Sequence, residues 1–407
     1  MKKILIISFL FLSITSFSQI VISGTVQDKN GPLEGAAVYL NNSMLGTTTN
    51  KNGKFELKVK DGIYELVISY LGYKKIIYPL NTKNTLKVFR FILEEEENEL
   101  KEIFIKKTVY DKNWKENLSL FKKEFLGSTR LSKDCKIINE NVLTFYYDSI
   151  EKKLEAFAKK PIQIKHFGLG YNITYELESF IRTKDYISFL GFSRYEEMIG
   201  NKKRKEKWEK NRLRAYNGSH VHFYKTLIKD TFSEEGFIVN QFKQFVNPQR
   251  PSDEEIEKAK KFLIENKPIG YNFEDKKTKK LTKLDSANII LRKTRLPKYL
   301  SYLTKSNLKR EDIIIEHESN YFFNFNDNLN VIYTKEDKER GYFNESFLVR
   351  EYSKYQNSSI IPMIKDVKLH KSGIVVNPLN VFYDGYWSYE KFANLLPLDY
   401  EPQQDKK

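Results

Sequence analysis

Cysteine is almost absent from this chain. Cys135 is the only one in 407 residues, so no internal disulfide can staple the fold. A lone thiol in an exported protein is expected to be a small buried hydrophobe rather than a reactive group. Histidine is scarce, with five copies. Acidic residues are in the minority: 69 Lys and Arg face 53 Asp and Glu, a formal charge of +16. That surplus would suit an anionic partner. The lysines are scattered and interleaved with Glu and Asp, however, which favours a lysine-rich composition and no nucleic-acid partner. A long apolar run is missing too. Ile4–Leu12 is too short to span a bilayer comfortably and no stop-transfer pattern follows, so no transmembrane helix is expected in the mature chain.

That short run has a different meaning at the N-terminus. Lys2 and Lys3 precede it, and the small residues Ser16 and Ser18 follow at the spacing signal peptidase prefers. Residues 1–18 are therefore expected to be a Sec signal peptide, cut before Gln19, with the product in the periplasm or at the outer membrane or cell surface. No cysteine at the cut supports a lipid anchor there.

From Ile20 to about Lys107 short apolar runs alternate with turn residues. Asp28-Lys29-Asn30-Gly31-Pro32 and Asn50-Lys51-Asn52-Gly53 supply turns, and Phe55, Leu57 and Val59 alternate with Glu56, Lys58 and Lys60. About seven such strands predict a β-sandwich. Gly24-Thr25-Val26, Gly31-Pro32-Leu33, Gly35-Ala36, Gly46-Thr47, Gly53, Phe55 and Tyr70-Leu71-Gly72-Tyr73 resemble the carboxypeptidase regulatory-like module. The resemblance implies a prealbumin-like (Ig-like) sandwich, as in the N-terminal extensions of TonB-dependent receptors of Bacteroidetes. The acidic run Glu94–Glu97 reads as a solvated linker closing a 19–107 domain.

Residues 108–407 read as a strand-dominated α+β domain. Trp114, Leu118, Phe121 and Phe125 at helical spacing predict a helix over Asn113–Leu126 stopped by Gly127. Asn201–Arg214 is a charged helix with Trp208 and Leu213 as expected inward anchors. Ser252 caps another helix running to about Glu265. Strands are expected at Leu143–Tyr147, Leu154–Phe157, Ile162–Ile164, Tyr171–Leu177, Ile289–Leu291, Ile313–Glu316, Tyr321–Phe325, Leu329–Tyr333, Phe347–Glu351 and Gly373–Val376. A short helix at Tyr389–Leu395 ends the pattern. Trp114, Cys135, Leu169-Gly170-Tyr171, Trp208, Arg212, Ala215-Tyr216-Asn217-Gly218-Ser219, His222-Phe223 and Leu395-Leu396-Pro397 resemble the uncharacterised Bacteroidetes family of carboxypeptidase-like regulatory domain-containing proteins. No activity comes with that resemblance.

The residues themselves deny the peptidase suggested by the name. A zinc carboxypeptidase needs a His-x-x-Glu pair, but the five histidines are followed three residues later by Leu169, Phe223, Lys225, Asn320 and Gly373. No catalytic residue, metal or cofactor is assigned. His220 and His222 would share a face if Ser219–Tyr224 were a strand, although a packed structural role is favoured. The densest polar cluster is Arg212, Arg214, Tyr216, Ser219 and His222, the speculative binding residues. Arg and Tyr beside a Gly turn can grip an anion or a sugar, while the structural alternative pairs both arginines with local glutamates.

The expected function is a non-enzymatic cell-envelope protein whose partner is an envelope protein or a glycan, with possible peripheral outer-membrane association. Carbohydrate binding linked to glycan uptake and a hydrolase of unrecognised type are the alternatives. The charged helices oppose an outer-membrane barrel.

Overall fold

Regular alternation and turn glycines dictate the first part of the computed structural model, which describes residues 20–83, 88–96, 109–266, 282–317, 320–342 and 354–402. The expected signal peptide, residues 97–107 of the expected linker and the strand expected at Phe347–Glu351 lie outside the described residues. Contacts divide the chain into two compact units. One holds residues up to Tyr216 together with Glu390 onward, and the other Asn217–Tyr389.

The first unit opens with β1 (Ile20–Gln27), β2 (Ala37–Leu40), β3 (Gly46–Thr48), β4 (Lys54–Val59), β5 (Ile63–Ser69), β6 (Ile76–Asn81) and β7 (Val88–Ile92). They form two sheets, ordered β4-β1-β7 and β3-β2-β5-β6. Alternation puts Phe55, Leu57 and Val59 inside, where Ile22, Val26, Leu66 and Ile68 meet them. Gly24 is required by close approach: a Cβ there would lie 2.4 Å from the Phe89 carbonyl oxygen. This is the Ig-like sandwich. The acidic run is solvated at its start, with Glu94, Glu95 and Glu96 exposed, and its backbone also joins the sandwich. Lys74 N–H donates to the Glu94 carbonyl and Glu96 N–H to the Gly72 carbonyl, at 2.8 and 2.9 Å, so its first residues close the sandwich bend.

Helix α1 (Lys112–Leu126) follows, with the Asp111 carboxylate accepting from Trp114 N–H. It lays Phe121 and Phe125 on a sheet of β8 (Cys135–Ile137), β9 (Leu143–Asp148), β10 (Lys153–Ala158), β11 (Ile162–His166), β12 (Tyr171–Arg182) and β13 (Ile187–Glu197). The order is β8-β11-β12-β10-β9, with β13 on β12. Helix α2 (Lys202–Tyr216) completes this stretch, with Trp208 buried as expected. Leu213 is a correction: it is 38% exposed, because the inward stripe runs through Trp208, Arg212 and Ala215. The returning segment stacks Phe392 on Phe125, ring centres 4.5 Å apart.

The sandwich is fastened to the second sheet of its own unit. The Tyr39 hydroxyl donates to Glu176 Oε1 (2.9 Å) and the Ser69 hydroxyl to Oε2 (3.1 Å), while Lys75 pairs with the same carboxylate at 3.0 Å. Backbone bonds add to this. Asn42 N–H donates to the Ser193 carbonyl and Tyr195 N–H to the Ser43 carbonyl.

The second unit contains α3 (His220–Ile228), β14 (Phe237–Val246), α4 (Asp253–Glu265), α5 (Lys283–Lys293), β15 (Tyr299–Lys305), α6 (Arg310–Ile313), β16 (Ile314–His317), β17 (Asn320–Phe323), β18 (Asn328–Asp337), β19 (Tyr355–Pro362), β20 (Lys368–His370), β21 (Ile374–Val375), β22 (Val381–Gly385) and α7 (Tyr386–Glu390). Its sheets run β15-β14-β18-β19-β22 and β16-β17-β20-β21. Phe223, Phe237, Val331 and Ile360 are among its core residues. Two sequence expectations are corrected here, and the condition set on Ser219–Tyr224 is not met. Ser219–Tyr224 is the start of α3 rather than a strand, because the Ser219 hydroxyl caps it by accepting from His222 N–H. Ile289–Leu291 lies in α5, begun by a capping box of Thr282 and Asp285. The terminal helix is α7, followed by one 3-10 turn at Phe392–Asn394. The Ser252 cap is present, as a complete capping box with Glu255.

Candidate functional site

The five residues singled out from the sequence fall on both sides of the Tyr216–Asn217 division: Arg212, Arg214 and Tyr216 in the first unit, Ser219 and His222 in the second.

In the first unit, one face of α2 clamps the turn between β11 and β12. Trp208 Nε1 donates to the Phe167 carbonyl (2.8 Å), Asn211 Nδ2 to the Gly168 carbonyl (2.7 Å) and Arg212 Nε to the Leu169 carbonyl (2.8 Å). The i, i+3, i+4 spacing on the helix matches three consecutive carbonyls. Gly170 must be glycine there: its φ is +74° and a Cβ would sit 2.2 Å from the Trp208 ring. Arg212 is buried, lies 4.1 Å from the Tyr171 ring centre and pairs with Glu197 Oε1 at 2.5 Å. The Arg212 Nη2 and Tyr171 hydroxyl are buried without a hydrogen-bond partner. Tyr216 packs on Tyr400, rings 5.8 Å apart, and Arg214 is exposed.

In the second unit, the Asn217–Ser219 turn is held from several sides. Gly218 N–H donates to His222 Nδ1 (3.1 Å), and Trp387 Nε1 donates to the Gly218 carbonyl (2.7 Å). Asn217 Nδ2 donates to Glu336 Oε1 (3.3 Å). Gly218 has φ +75°, and a Cβ would meet Gln356 Oε1 at 2.3 Å.

A common role joins three histidines. His166 Nδ1 accepts from Leu169 N–H, His222 Nδ1 from Gly218 N–H and His370 Nδ1 from Ser372 N–H, at 3.2, 3.1 and 3.1 Å. Each must be neutral to accept. With Nδ1 so used, His166 Nε2 carries the proton and donates to the Ala393 carbonyl at 2.8 Å. Burial pushes all three below the ordinary imidazole range, His222 and His370 to about 4. Burial also lowers His220 to about 4; its ring stacks on Tyr383 with centres 5.2 Å apart. The Cys135 thiol is buried, and burial pushes it up to about 12, the opposite of an activated nucleophile.

Among the described residues no three of His, Cys, Asp and Glu lie close enough to hold a metal ion. A shallow groove of about 350 Å³ runs between α4 and α5, lined among others by Glu255, Lys258, Phe262, Lys283 and Ile290. Its polar lining also serves the helices: the Ser286 hydroxyl donates to the Thr282 carbonyl at 3.2 Å, and the Glu255 carboxylate accepts from Ser252 N–H at 2.8 Å. Neither the Trp208–Asn211–Arg212 clamp nor the Glu176 junction was visible in the sequence. Their partners are carbonyls and side chains distant along the chain, which leave no local pattern.

Residues 22–105 match the family model described as CarboxypepD_reg-like domain. The N-terminal sandwich is a CarboxypepD_reg-like domain. Over 73 residues the chain is 38% identical to TonB-dependent receptor SusC of Bacteroides thetaiotaomicron. That match covers 17% of this chain and only 7% of the receptor. It therefore relates a segment of this chain to a receptor without extending to the receptor's bulk. A DUF3823 family protein from Bacteroides ovatus aligns with 45% of this chain and 83% of its own, at 8% identity and a TM-score of 0.17. A 9R-lipoxygenase from Cyanothece aligns with 57% and 51%, at 10% identity and a TM-score of 0.18. At such scores neither structure bears on the fold. No helix among the described residues is long and apolar enough to cross a membrane.

Proposed function

We propose that this chain is a non-enzymatic protein of the bacterial cell envelope, working as an interaction module in the periplasm or at the outer membrane. The relation of its CarboxypepD_reg-like domain to a TonB-dependent receptor supports the envelope setting. One observation carries the non-enzymatic reading. The groups most able to act as base or nucleophile are spent on architecture, since His166, His222 and His370 hold backbone turns and the Cys135 thiol is protonated in the core. A general base needs a lone pair free for substrate and a pKa near the working pH. These imidazoles have neither.

The sandwich then serves as a rigid part of the first unit. Glu176, Tyr39, Ser69 and Lys75 fix it on the β12–β13 sheet, so it presents a surface of fixed orientation to a partner. The test is to incubate the purified protein with peptide, ester and glycoside substrates, with and without added zinc. No turnover is expected. Hydrolysis that disappears in a His222→Ala variant which stays folded would overturn the reading.

A further inference from the structure

Strand β15 is exposed along its whole length, Tyr299–Lys305, and forms one edge of its sheet. Its neighbour β14 pairs with β18 only from Phe237 to Phe242, whereas it pairs with β15 through to Val246. Residues Lys243–Val246 and their β15 partners therefore leave the sheet as a two-stranded ribbon. Large apolar side chains project from both faces. Phe245 (50% exposed), Leu300 and Tyr302 (66%) share one face, and Val246 (67%), Tyr299 and Leu303 (56%) the other. A two-stranded ribbon buries too little to account for this much outward apolar surface. The chain leading into it is basic. From Thr282 to Arg310 there are eight Lys and Arg against a single acid, Asp285. Arg292, Lys293 and Arg295 are exposed just before β15. Lys298 and Lys305 stand at its two ends, tied to Asp253 and Asp312.

We propose that this ribbon docks the protein on an anionic phospholipid surface, with β15 as the leading edge. Edge-on approach explains why both faces are apolar, since side chains splaying to either side of β15 would enter the same interfacial layer. Tyr299 and Tyr302 suit the headgroup level, with an apolar ring and a polar tip. Leu300, Leu303 and Phe245 reach the acyl boundary, and the basic rim meets headgroup phosphates. A second copy fits less well, because pairing two β15 edges would bring their basic ends together. This inference deepens the envelope reading and rests on it for access to a membrane. Its failure would show in vesicle binding, whereas failure of that reading would show as catalysis.

The test uses the chain from Gln19 onward, which keeps every described residue and removes the apolar leader. It is sedimented with phosphatidylcholine vesicles with and without phosphatidylglycerol. The protein is expected to pellet with the anionic vesicles and to be released by salt. Tyr302→Ser combined with Leu303→Ser should abolish pelleting, and Lys293→Glu combined with Arg295→Glu should weaken it by about fivefold or more per basic residue lost. All four positions are exposed, and unchanged thermal unfolding of each double variant confirms an intact fold. The proposal is overturned if the parent stays in the supernatant, or if both variants pellet like the parent. It is also overturned if the parent is a dimer that Tyr302→Ser with Leu303→Ser converts to monomer, which would make the ribbon a contact between copies.

Discussion

In the first unit the buried Arg212 and the half-buried Lys391 and Lys75 sit beside carboxylates. Arg212 pairs with Glu197, Lys391 with Glu124 at 2.6 Å, and Lys75 with Glu176. In the second unit Arg250 pairs with Asp253 in the same way, at 3.2 Å, but three imidazoles, His220, His222 and His370, are held neutral beside the hydrogen-bonded hydroxyls of Tyr224 and Tyr383. A polar group leaving water needs either an opposite charge or a hydrogen bond to its neutral form, and the units differ in how many neutral imidazoles they keep: His166 in the first, three in the second. The choice decides which unit responds to acid. An imidazole kept as an acceptor loses that role once it gains a proton.

The largest effects come from each core. Phe125 is fully buried among Phe121, Tyr175, Phe189 and Phe392, and Phe223 among Phe232, Phe237 and Trp387. Phe125→Ala and Phe223→Ala should each cost about 3–5 kcal/mol. Hydrogen exchange is expected to rise mainly in the unit that holds the substitution. Equal loss of protection in both units would erase the distinction between them. Next comes Gly170→Ala, which forces a Cβ into the Trp208 ring at positive φ and should cost about 2–4 kcal/mol. Its signature is a red shift of tryptophan emission as the loosened clamp lets water reach Trp208; wild-type stability would refute the close approach.

Acidification sharpens the contrast. The folded pKa of about 4 for His220, His222 and His370 lies below the ordinary 6.5, so the unfolded chain binds more protons between those values. Stability of the second unit is therefore full above pH 6.5 and falls as the pH drops toward 4. Each histidine should contribute a loss of about 1–2 kcal/mol by pH 5. Exchange measured from pH 7 to 5, corrected for its intrinsic rate, should rise more in Asn217–Tyr389 than in the first unit, which has His166 alone of this kind. A His370→Gln variant should flatten the dependence, because the amide oxygen can accept from Ser372 N–H without titrating.

What the sequence disclosed follows the same line between near and far. The sandwich was legible because strand alternation and the Asn50–Gly53 turn act within a few residues. So were α1 and the Ser252 capping box. The His220–Tyr224 run misled because β-branched and aromatic residues imitate a strand, and Ser219 as a cap carried His rather than Glu three residues on. Asn288-Ile289-Ile290-Leu291 misled likewise, though Thr282 and Asp285 announced a helix start. Arg212 and His222 stood out as a polar cluster, yet their partners Leu169, Tyr171 and Glu197, or Phe237 and Tyr333, come from other strands. Nothing local could show that the first belongs to a clamp and the second to a turn.

The smallest effect tests whether the CarboxypepD_reg-like domain is held by chemistry or by shape. Burial and the facing Glu176 keep the Tyr39 phenol far above its ordinary range, so it remains a donor to that carboxylate. Glu176→Gln keeps the volume but turns one acceptor oxygen into an NH2 group, facing hydroxyl donors and the Lys75 ammonium. Lys75 retains Glu178, so the net cost should be only about 1 kcal/mol. The loss should appear as faster exchange in Ala37–Leu40 and around Ser193, while β1 and β4 inside the sandwich stay protected. Unchanged exchange would mean that the Asn42–Ser193 and Ser43–Tyr195 backbone bonds hold the two sheets without Glu176. In that case the polar pairing at Glu176 would accompany the docking of the sandwich rather than cause it.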